Sequence, residues 1–175
     1  MKPIFLIGYM GCGKTTLGRA LSIATGVRFV DLDELIEENE GTSISVIFRE
    51  RGEEAFRRIE RDTLRGLCRE ENLIVGCGGG TPCFFDNMAA MAAGGTTVFL
   101  EASVGRLAER LKAARASRPL IAALTDDELE RFIAGNLQER RPFYSLAAER
   151  FDADCLDTRE EIDRSVALFI NRFMQ

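Results

Sequence analysis

Short runs of apolar residues alternate along the chain with longer segments in which apolar positions recur at helical spacing. Five of these runs have the length and composition of buried strands, at 4–8, 28–31, 73–77, 97–101 and 151–156. The intervals predict helices, one beginning at Lys14 and the others at 33–37, 43–51, 53–69, 84–92, 104–114, 126–149 and 159–173. This alternation is typical of βαβ units, so we predict an α/β fold with a five-stranded parallel sheet and helices on both faces.

Local signals mark where several of these helices begin and end. Ser43 and Thr125 precede helical patterns as N-caps, and Gly26 and Gly41 follow others as stops. Pro142 falls inside the pattern at 126–149, where we expect it to kink or end the helix. Because ligands bind at the carboxyl ends of parallel strands, the residues that directly follow each strand are the first candidates for a site.

The composition fits one globular domain over residues 1–175, with 46% hydrophobic and 29% charged residues. The net charge of −5 argues against nucleic-acid binding, and neither a signal-peptide pattern nor an apolar run of membrane-spanning length occurs. Five cysteines without a C-x-x-C pair suit a reducing compartment, so we expect a cytoplasmic protein, and we also expect a monomer. The lack of histidine excludes a Ser-His-Asp site and a typical zinc hydrolase site.

A phosphate-binding loop is the clearest functional motif. Residues 8–15 read GYMGCGKT, which matches G-x-x-x-x-G-K-[ST], and they lie between a predicted strand and a predicted helix as this motif requires. Backbone N–H groups of such a loop surround phosphate oxygens at a helix N-terminus. Lys14 would then reach the outer phosphates, and the Thr15 hydroxyl would bind Mg²⁺. The alternative is a glycine-rich turn that binds nothing, and the correct flanks argue against it.

Two further strand ends carry candidate residues. Asp31 and Asp33 close the second strand, where residues two apart point to the same side; one carboxylate would serve Mg²⁺ and the other a substrate hydroxyl. The alternative makes Asp33 the N-cap of the next helix. Gly78, Gly79 and Gly80 follow the third strand and permit close approach of the backbone to a ligand, although a tight turn would use the same residues.

Three arginines stand out away from these strand ends. Arg57 and Glu60 are three residues apart on a predicted helix and can pair, for which a surface salt bridge is the default interpretation. Arg118 lies in an irregular stretch at about 112–124, which would be a mobile lid over the phosphates or a plain surface loop. Arg140 precedes Pro142, and a kink or helix end at this proline would set the direction of a nearby side chain.

The ordered set of motifs resembles the shikimate kinase family over nearly the whole chain. It comprises the phosphate-binding loop, Asp-x-Asp, Phe-Arg-x-x-Glu (residues 56–60), Gly-Gly-Gly, Arg-Pro-Leu (118–120) and Arg-x-Pro-x-Tyr (140–144). The resemblance implies a P-loop kinase of the nucleoside-monophosphate-kinase-like class, a three-layer sandwich with a lid at about 112–124 and substrate-binding helices at about 33–61. It also implies ATP- and Mg²⁺-dependent phosphorylation of the 3-hydroxyl of shikimate in aromatic amino-acid biosynthesis.

The resemblance further implies a role for each site residue. Lys14, Asp33 and Arg118 would be catalytic, with Asp33 as the candidate base on the ring hydroxyls. Thr15 would bind Mg²⁺, with Asp31 in the outer coordination shell. The expected ATP contacts are Gly11, Cys12, Gly13, Lys14, Thr15, Thr16, Arg110, Arg118 and Arg159. The expected shikimate contacts are Asp33, Arg57, Gly78, Gly79, Gly80 and Arg140, with both arginines on the carboxylate and Glu60 orienting Arg57.

The motifs leave two other functions open. A related kinase would act on gluconate, on another small hydroxy acid or on a nucleotide, although the paired arginines favour an acid and Asp33 favours hydroxyls. A nucleotide-dependent switch or regulatory module belongs to a different class. A GTPase of that kind carries an Asn-Lys-x-Asp guanine reader, and an ABC-type ATPase carries Leu-Ser-Gly-Gly; the sequence contains neither.

Overall fold

The computed structural model describes residues 1–114 and 121–174, and in that part of the chain five strands form one parallel sheet. The strands are β1 (Ile4–Ile7), β2 (Arg28–Asp31), β3 (Leu73–Gly76), β4 (Thr96–Glu101) and β5 (Glu149–Asp152). Their order across the sheet is β2-β3-β1-β4-β5, so the chain builds first on one side of β1 and then on the other. Such a reversal opens a crevice at the carboxyl ends of the strands beside β1.

Helices connect and cover these strands. Within the described ranges they are α1 (Lys14–Thr25), α2 (Leu32–Glu40), α3 (Ile44–Leu67), α4 (Asn87–Gly94), α5 (Val104–Ala113), α6 (Asp126–Tyr144) and α7 (Arg159–Phe173). Helices α1 and α7 contact each other, whereas α4 contacts α3 and β4. The predicted α/β fold with a five-stranded parallel sheet is confirmed. Residues 115–120, which include Arg118 and the centre of the predicted lid, lie outside the described residues.

The sheet is the centre of the hydrophobic core. All four residues of β1 and all four of β3 are buried, which explains why these strands read as continuous apolar runs. β1 lies between β3 and β4, with Phe5 opposite both Val75 and Thr97. Among the described helices, none combines the length and the apolar character that a membrane span requires.

The predicted caps are found where the sequence placed them. Gly26 and Gly41 end α1 and α2 in the left-handed conformation, which a residue without a Cβ adopts at little cost. The Ser43 hydroxyl accepts a hydrogen bond from the Val46 N–H at the start of α3. Thr125 forms a full capping box at the start of α6.

Several predicted boundaries are wrong by a few residues. The helices predicted at 43–51 and 53–69 are the two halves of α3, separated by Gly52 with φ 81° and ψ 169°. Helix α6 ends at Tyr144 rather than 149, two residues after Pro142, which lacks a backbone donor. Strand β5 begins at Glu149, two residues before the start of the predicted strand. Helix α4 begins at Asn87 rather than 84, because the residue at 85 has a left-handed φ of 51°.

One glycine fixes how closely α1 lies on the sheet. A Cβ at Gly18 would lie 2.1 Å from Cε2 of Phe29, which is far inside van der Waals contact. The absence of a side chain therefore lets the helix that follows the phosphate-binding loop pack directly onto β2. The depth of the crevice between the loop and the end of β2 depends on this contact.

We predict that Gly18→Ala lowers the free energy of unfolding by about 1–3 kcal/mol, because the added methyl group overpacks the contact with Phe29. Gly135→Ala in α6 is the matched control, since a Cβ there meets nothing within 4 Å. The control should be neutral or stabilising by up to about 1 kcal/mol. Urea unfolding of both variants measures the difference, and equal effects would contradict the prediction.

Candidate active site

Glycines shape the loop between β1 and α1. Gly8 and Gly13 have positive φ angles of 144° and 99°, a region that residues with a Cβ rarely adopt. A Cβ at Gly8 would lie 2.6 Å from the Leu100 carbonyl oxygen, and one at Gly13 would lie 2.6 Å from Cδ1 of Leu156. The loop is therefore held between the ends of β4 and the segment after β5, with α1 beginning directly behind it.

Lys14 lies at the mouth of this loop. Its Nζ donates hydrogen bonds to the carbonyl oxygens of Gly8 at 2.8 Å and Tyr9 at 2.9 Å. The loop, the end of β2 and the turn after β3 line a crevice of about 530 Å³. Its lining includes many of the predicted site residues, namely Gly11, Gly13, Lys14, Thr15, Thr16, Asp31, Asp33, Gly78, Gly79 and Arg110. The crevice thus combines a cation and helix N-terminal N–H groups with two carboxylates.

The side-chain oxygens of Thr15 and Asp31 lie next to each other in the crevice. The Thr15 hydroxyl donates to Oδ2 of Asp31 at 2.8 Å. Oδ1 of Asp31 accepts from the N–H groups of Asp33 at 3.1 Å and Glu34 at 3.5 Å, so Asp31 is the N-cap of α2. The alternative that made Asp33 the N-cap is wrong, because α2 begins at Leu32, directly after β2 ends at Asp31.

These oxygens fit a magnesium ion that keeps several water or phosphate ligands. Within residues 1–114 and 121–174, no group of three or more Cys, Asp or Glu side chains could hold a metal ion alone. Hydroxyl and carboxylate oxygens at a phosphate-binding loop are the ligands Mg²⁺ takes when phosphates complete its shell. The residues present therefore fit Mg²⁺ bound together with a nucleotide.

Asp33 lies in the first turn of α2 rather than on β2, yet its side chain faces the same crevice as Asp31. The pKa of Asp33 is raised to about 6, first by burial and then by the neighbouring carboxylates of Asp31 and Glu60, with Lys14 and Arg57 opposing the rise. A carboxyl group with such a pKa can change its protonation state near neutral pH. That property suits a group that accepts a proton from a ligand.

The three glycines after β3 each face a different charged side chain. A Cβ at Gly78 would lie 3.0 Å from Oδ1 of Asp33, and one at Gly80 would lie 2.9 Å from Nη2 of Arg57. A Cβ at Gly79 would lie 3.2 Å from Nη1 of Arg140. The backbone of this turn, which continues into the short 3₁₀ helix Thr81–Cys83, therefore brings the three predicted acceptor-binding side chains together.

The pair formed by Arg57 and Glu60 is not the surface salt bridge that was the default interpretation. Nη1 of Arg57 donates to Oε2 of Glu60 at 2.9 Å, and the two side chains are only 14% and 1% exposed. Oε1 of Glu60 accepts from the Thr81 hydroxyl at 2.5 Å. The carboxylate of Glu60 is thus satisfied on both oxygens, which is how a protein tolerates a buried charge.

Tyr144 belongs to the Arg-x-Pro-x-Tyr motif, but sequence analysis assigned it no role. Its side chain is fully buried, and its hydroxyl donates to the Gly79 carbonyl oxygen at 2.6 Å. Burial raises the pKa of this hydroxyl, and the nearby charge of Arg140, whose guanidinium carbon lies 5.4 Å from the centre of the Tyr9 ring, opposes that rise. Tyr144 therefore lies between the glycine turn and the second arginine, an arrangement that only the folded structure reveals.

Of the remaining predicted nucleotide contacts, Arg110 and Cys12 lie beside or beneath the phosphate-binding loop, whereas Arg159 lies away from it. Arg110 borders the crevice, where it forms two hydrogen bonds to the carboxylate of Asp157 and a third, at 3.4 Å, to the Gly11 carbonyl oxygen. Cys12 is buried beneath the loop, with its sulfur 3.6 Å from Nζ of Lys14. Arg159 is 89% exposed and pairs with Asp163 at 3.5 Å, so the structure does not bring it into the crevice.

A second cavity, of about 650 Å³, lies between β4, β5 and α6. It is lined by Phe99, Phe151 and Tyr144 together with charged side chains at the ends of the two strands. None of the predicted site residues lines it, and it lacks a phosphate-binding loop. The chemistry of the chain is therefore concentrated in the smaller crevice.

Comparisons with known proteins converge on one family. The family model described as shikimate kinase matches residues 10–171. A curated shikimate kinase from Parabacteroides distasonis is 48% identical over 162 residues, which span 93% of this chain and 94% of that protein.

Solved structures agree with the sequence relatives. The crystal structure of shikimate kinase from Bacteroides thetaiotaomicron has a TM-score of 0.93 and 44% identity and covers 97% of both chains. The structure of shikimate kinase from Acinetobacter baumannii in complex with shikimate has a TM-score of 0.83 and 28% identity, and covers 98% of this chain and 92% of that one. The likeness to both extends over almost the whole of each chain.

The raised pKa of Asp33 predicts a pH-dependent cost to stability. Its pKa is about 6 in the folded chain and about 4 in an unfolded one. The folded state therefore binds the proton more tightly, and stability falls as the pH rises between these two values. Asp33→Asn should stabilise the protein at pH 8 by on the order of 2 kcal/mol more than at pH 4. Unfolding of both proteins at the two pH values measures this, and an effect that does not change with pH would rule it out.

Proposed function

Because the chain belongs to the shikimate kinase family, we propose that its crevice transfers the terminal phosphoryl group of ATP to the 3-hydroxyl of shikimate, giving shikimate 3-phosphate and ADP. The observation that carries this proposal is the turn at 78–80, whose three glycines face Asp33, Arg140 and Arg57 in turn. A small anionic acid with several hydroxyl groups needs paired guanidinium groups and a carboxylate acceptor around a backbone that comes close.

Arg57 and Arg140 bind the carboxylate of the acceptor in this proposal. Two guanidinium groups offer parallel N–H donors that match the geometry of a carboxylate. Arg57 is held from behind by Glu60, so little side-chain entropy remains for it to lose on binding. Asp33, on the opposite side of the turn, accepts the hydrogen bond of the hydroxyl group that reacts.

The donor phosphates bind in the loop formed by residues 8–15. Its backbone N–H groups and the N-terminus of α1 surround the phosphate oxygens, and Lys14 neutralises charge on the outer phosphates. Thr15 and Asp31 hold Mg²⁺, which balances phosphate charge when it is bound. Arg110 borders the nucleotide from α5. Thr16 also lines this half of the crevice. Cys12, Arg159 and Arg118 of the expected lid are assigned to the nucleotide through the family resemblance alone.

Phosphoryl transfer requires alignment more than covalent chemistry. The oxygen of the acceptor hydroxyl forms a bond to the terminal phosphorus as the bond from that phosphorus to the bridging oxygen of ADP breaks. The hydroxyl proton passes to the carboxylate of Asp33, which must be ionised to accept it. Because the pKa of Asp33 is about 6, we expect the reaction to slow as the pH falls below that value.

A cytoplasmic monomer completes the proposal. The support for the location is that all five cysteines are free, as in proteins of reducing compartments. Gel filtration of the purified protein would test the oligomeric state directly.

The decisive experiment measures ADP release from ATP and Mg²⁺ with shikimate, beside gluconate, quinate and a reaction without an acceptor. We expect fast release that depends on shikimate. If the folded protein binds ATP but releases ADP with gluconate or quinate instead, shikimate is the wrong substrate, while the phosphate-binding loop keeps its proposed role. Slow ATP turnover that no acid changes would favour a nucleotide-dependent switch.

We predict that Arg57→Gln raises the KM for shikimate about tenfold or more and changes the KM for ATP less than about twofold. The amide keeps one donor for the buried Glu60 while removing the charge and the fork of the guanidinium. Arg58→Gln is the matched control, because Arg58 is 62% exposed and pairs with Glu54 on the outer face of the helix. Equal weakening of both substrates, or an equal effect of the control, would contradict the assignment.

A further inference from the structure

Three arginines on one face of α3 contact three consecutive residues of the loop before α4. The guanidinium carbon of Arg57 lies 3.9 Å from the centre of the Phe84 ring, and that of Arg61 lies 5.0 Å from the centre of the Phe85 ring. One helical turn further on, Nη2 of Arg65 donates to both carboxylate oxygens of Asp86, at 2.8 and 3.0 Å.

The spacing of the two segments explains this one-to-one pairing. Arginines four residues apart lie on the same helix face, so 57, 61 and 65 form a row along α3. The loop runs beside that row with Phe84 extended, at φ −117° and ψ 145°, and Phe85 left-handed at φ 51°. A left-handed φ is unfavourable for a bulky residue and persists only where the surroundings impose it. The neighbours of Phe85 on either side, Phe84 and Asp86, are contacted by Arg57 and Arg65.

The contact with Phe84 differs from the other two because it lies at the acceptor site. Arg57 is 14% exposed. Its guanidinium already donates a hydrogen bond to Glu60 at 2.9 Å and two to Glu53, at 3.2 and 3.3 Å. Among the described residues these bonds use three of the five N–H donors of the guanidinium. One N–H on each terminal nitrogen is left, and both terminal nitrogens face Gly80.

Glu53 accepts hydrogen bonds from Nε and Nη2 and Glu60 accepts one from Nη1, so the carboxylates hold the guanidinium within its own plane, while the Phe84 ring supports it from the face. Hydrogen bonds made in that plane resist a tilt of the group only weakly, because a small tilt changes the N–H···O geometry little. An aromatic ring 3.9 Å from the central carbon prevents the tilt and attracts the cation through its π face. The two remaining donors then keep a fixed direction toward the turn at 78–80.

We propose that Phe84 is a positioning residue for acceptor binding, because its ring holds the Arg57 guanidinium in the plane from which the two free N–H groups reach the substrate carboxylate. This inference rests on the proposed function, in which Arg57 binds that carboxylate. Phe84 does not itself contact the reacting atoms. It acts through Arg57, so its effect must vanish when the guanidinium is gone.

A double-mutant cycle tests this dependence. Phe84→Leu should raise the KM for shikimate about fivefold, leave the KM for ATP within about twofold, and have no further effect in an Arg57→Gln background. Phe84→Tyr, which keeps the ring face, should restore the wild-type KM. Phe85→Leu is the matched control; it removes the neighbouring ring from Arg61 and should leave the KM for shikimate unchanged.

The outcomes separate this inference from the proposed function. If Arg57→Gln itself leaves the KM for shikimate unchanged, the carboxylate role of Arg57 is wrong and the proposed function is at fault. If Arg57→Gln raises that KM but Phe84→Leu does not, or raises it equally in both backgrounds, Phe84 does not position Arg57. Thermal unfolding of each variant checks that the protein remains folded. An equal rise in the KM for shikimate in Phe84→Leu and Phe85→Leu would also overturn the inference.

Discussion

The acceptor side of the crevice depends on one buried charge. Glu60 is 1% exposed, and a carboxylate in that position is strongly unfavourable unless both of its oxygens are satisfied. Arg57 satisfies one oxygen from the same helix, and Thr81 satisfies the other from the turn after β3. The need to pair Glu60 therefore draws α3 and the glycine turn together. After burial and the charge of Asp31, the same charge also contributes to the raised pKa of Asp33, so the packing of the site and its acid–base chemistry are linked.

Gly79 lies between the phosphate-binding loop and the second arginine. A Cβ at Gly79 would lie 3.4 Å from the Met10 N–H nitrogen in the loop, and 3.2 Å from Nη1 of Arg140. The Gly79 carbonyl accepts a hydrogen bond from the hydroxyl of Tyr144. Rate in phosphoryl transfer depends on the distance and angle between the two reacting groups. In the proposed reaction, the main chain of this turn would contribute to setting both quantities.

The parts of this architecture that are readable from sequence are those that local chemistry determines. The buried strands β1 and β3 read as apolar runs, and the phosphate-binding loop reads from its glycines and Lys14. Features that arise from contacts between distant segments were not readable: the burial of Glu60, the link from Tyr144 to Gly79, and the row of arginines beside the loop before α4. The helix predicted to begin at 84 failed for the same reason, since contacts with α3, not local propensity, set the conformation of Phe85.

The close packing of Gly18 on Phe29 limits the order in which the two positions can change during evolution. A Cβ at 18 collides with the ring, so substitution there lowers stability while Phe29 is present. A smaller residue at 29 first opens a cavity, which costs stability but preserves the fold. The space then accepts a methyl group at 18. We therefore expect the residues at 18 and 29 to change together, with position 29 changing first. A lineage with alanine at 18 should carry a smaller side chain at 29.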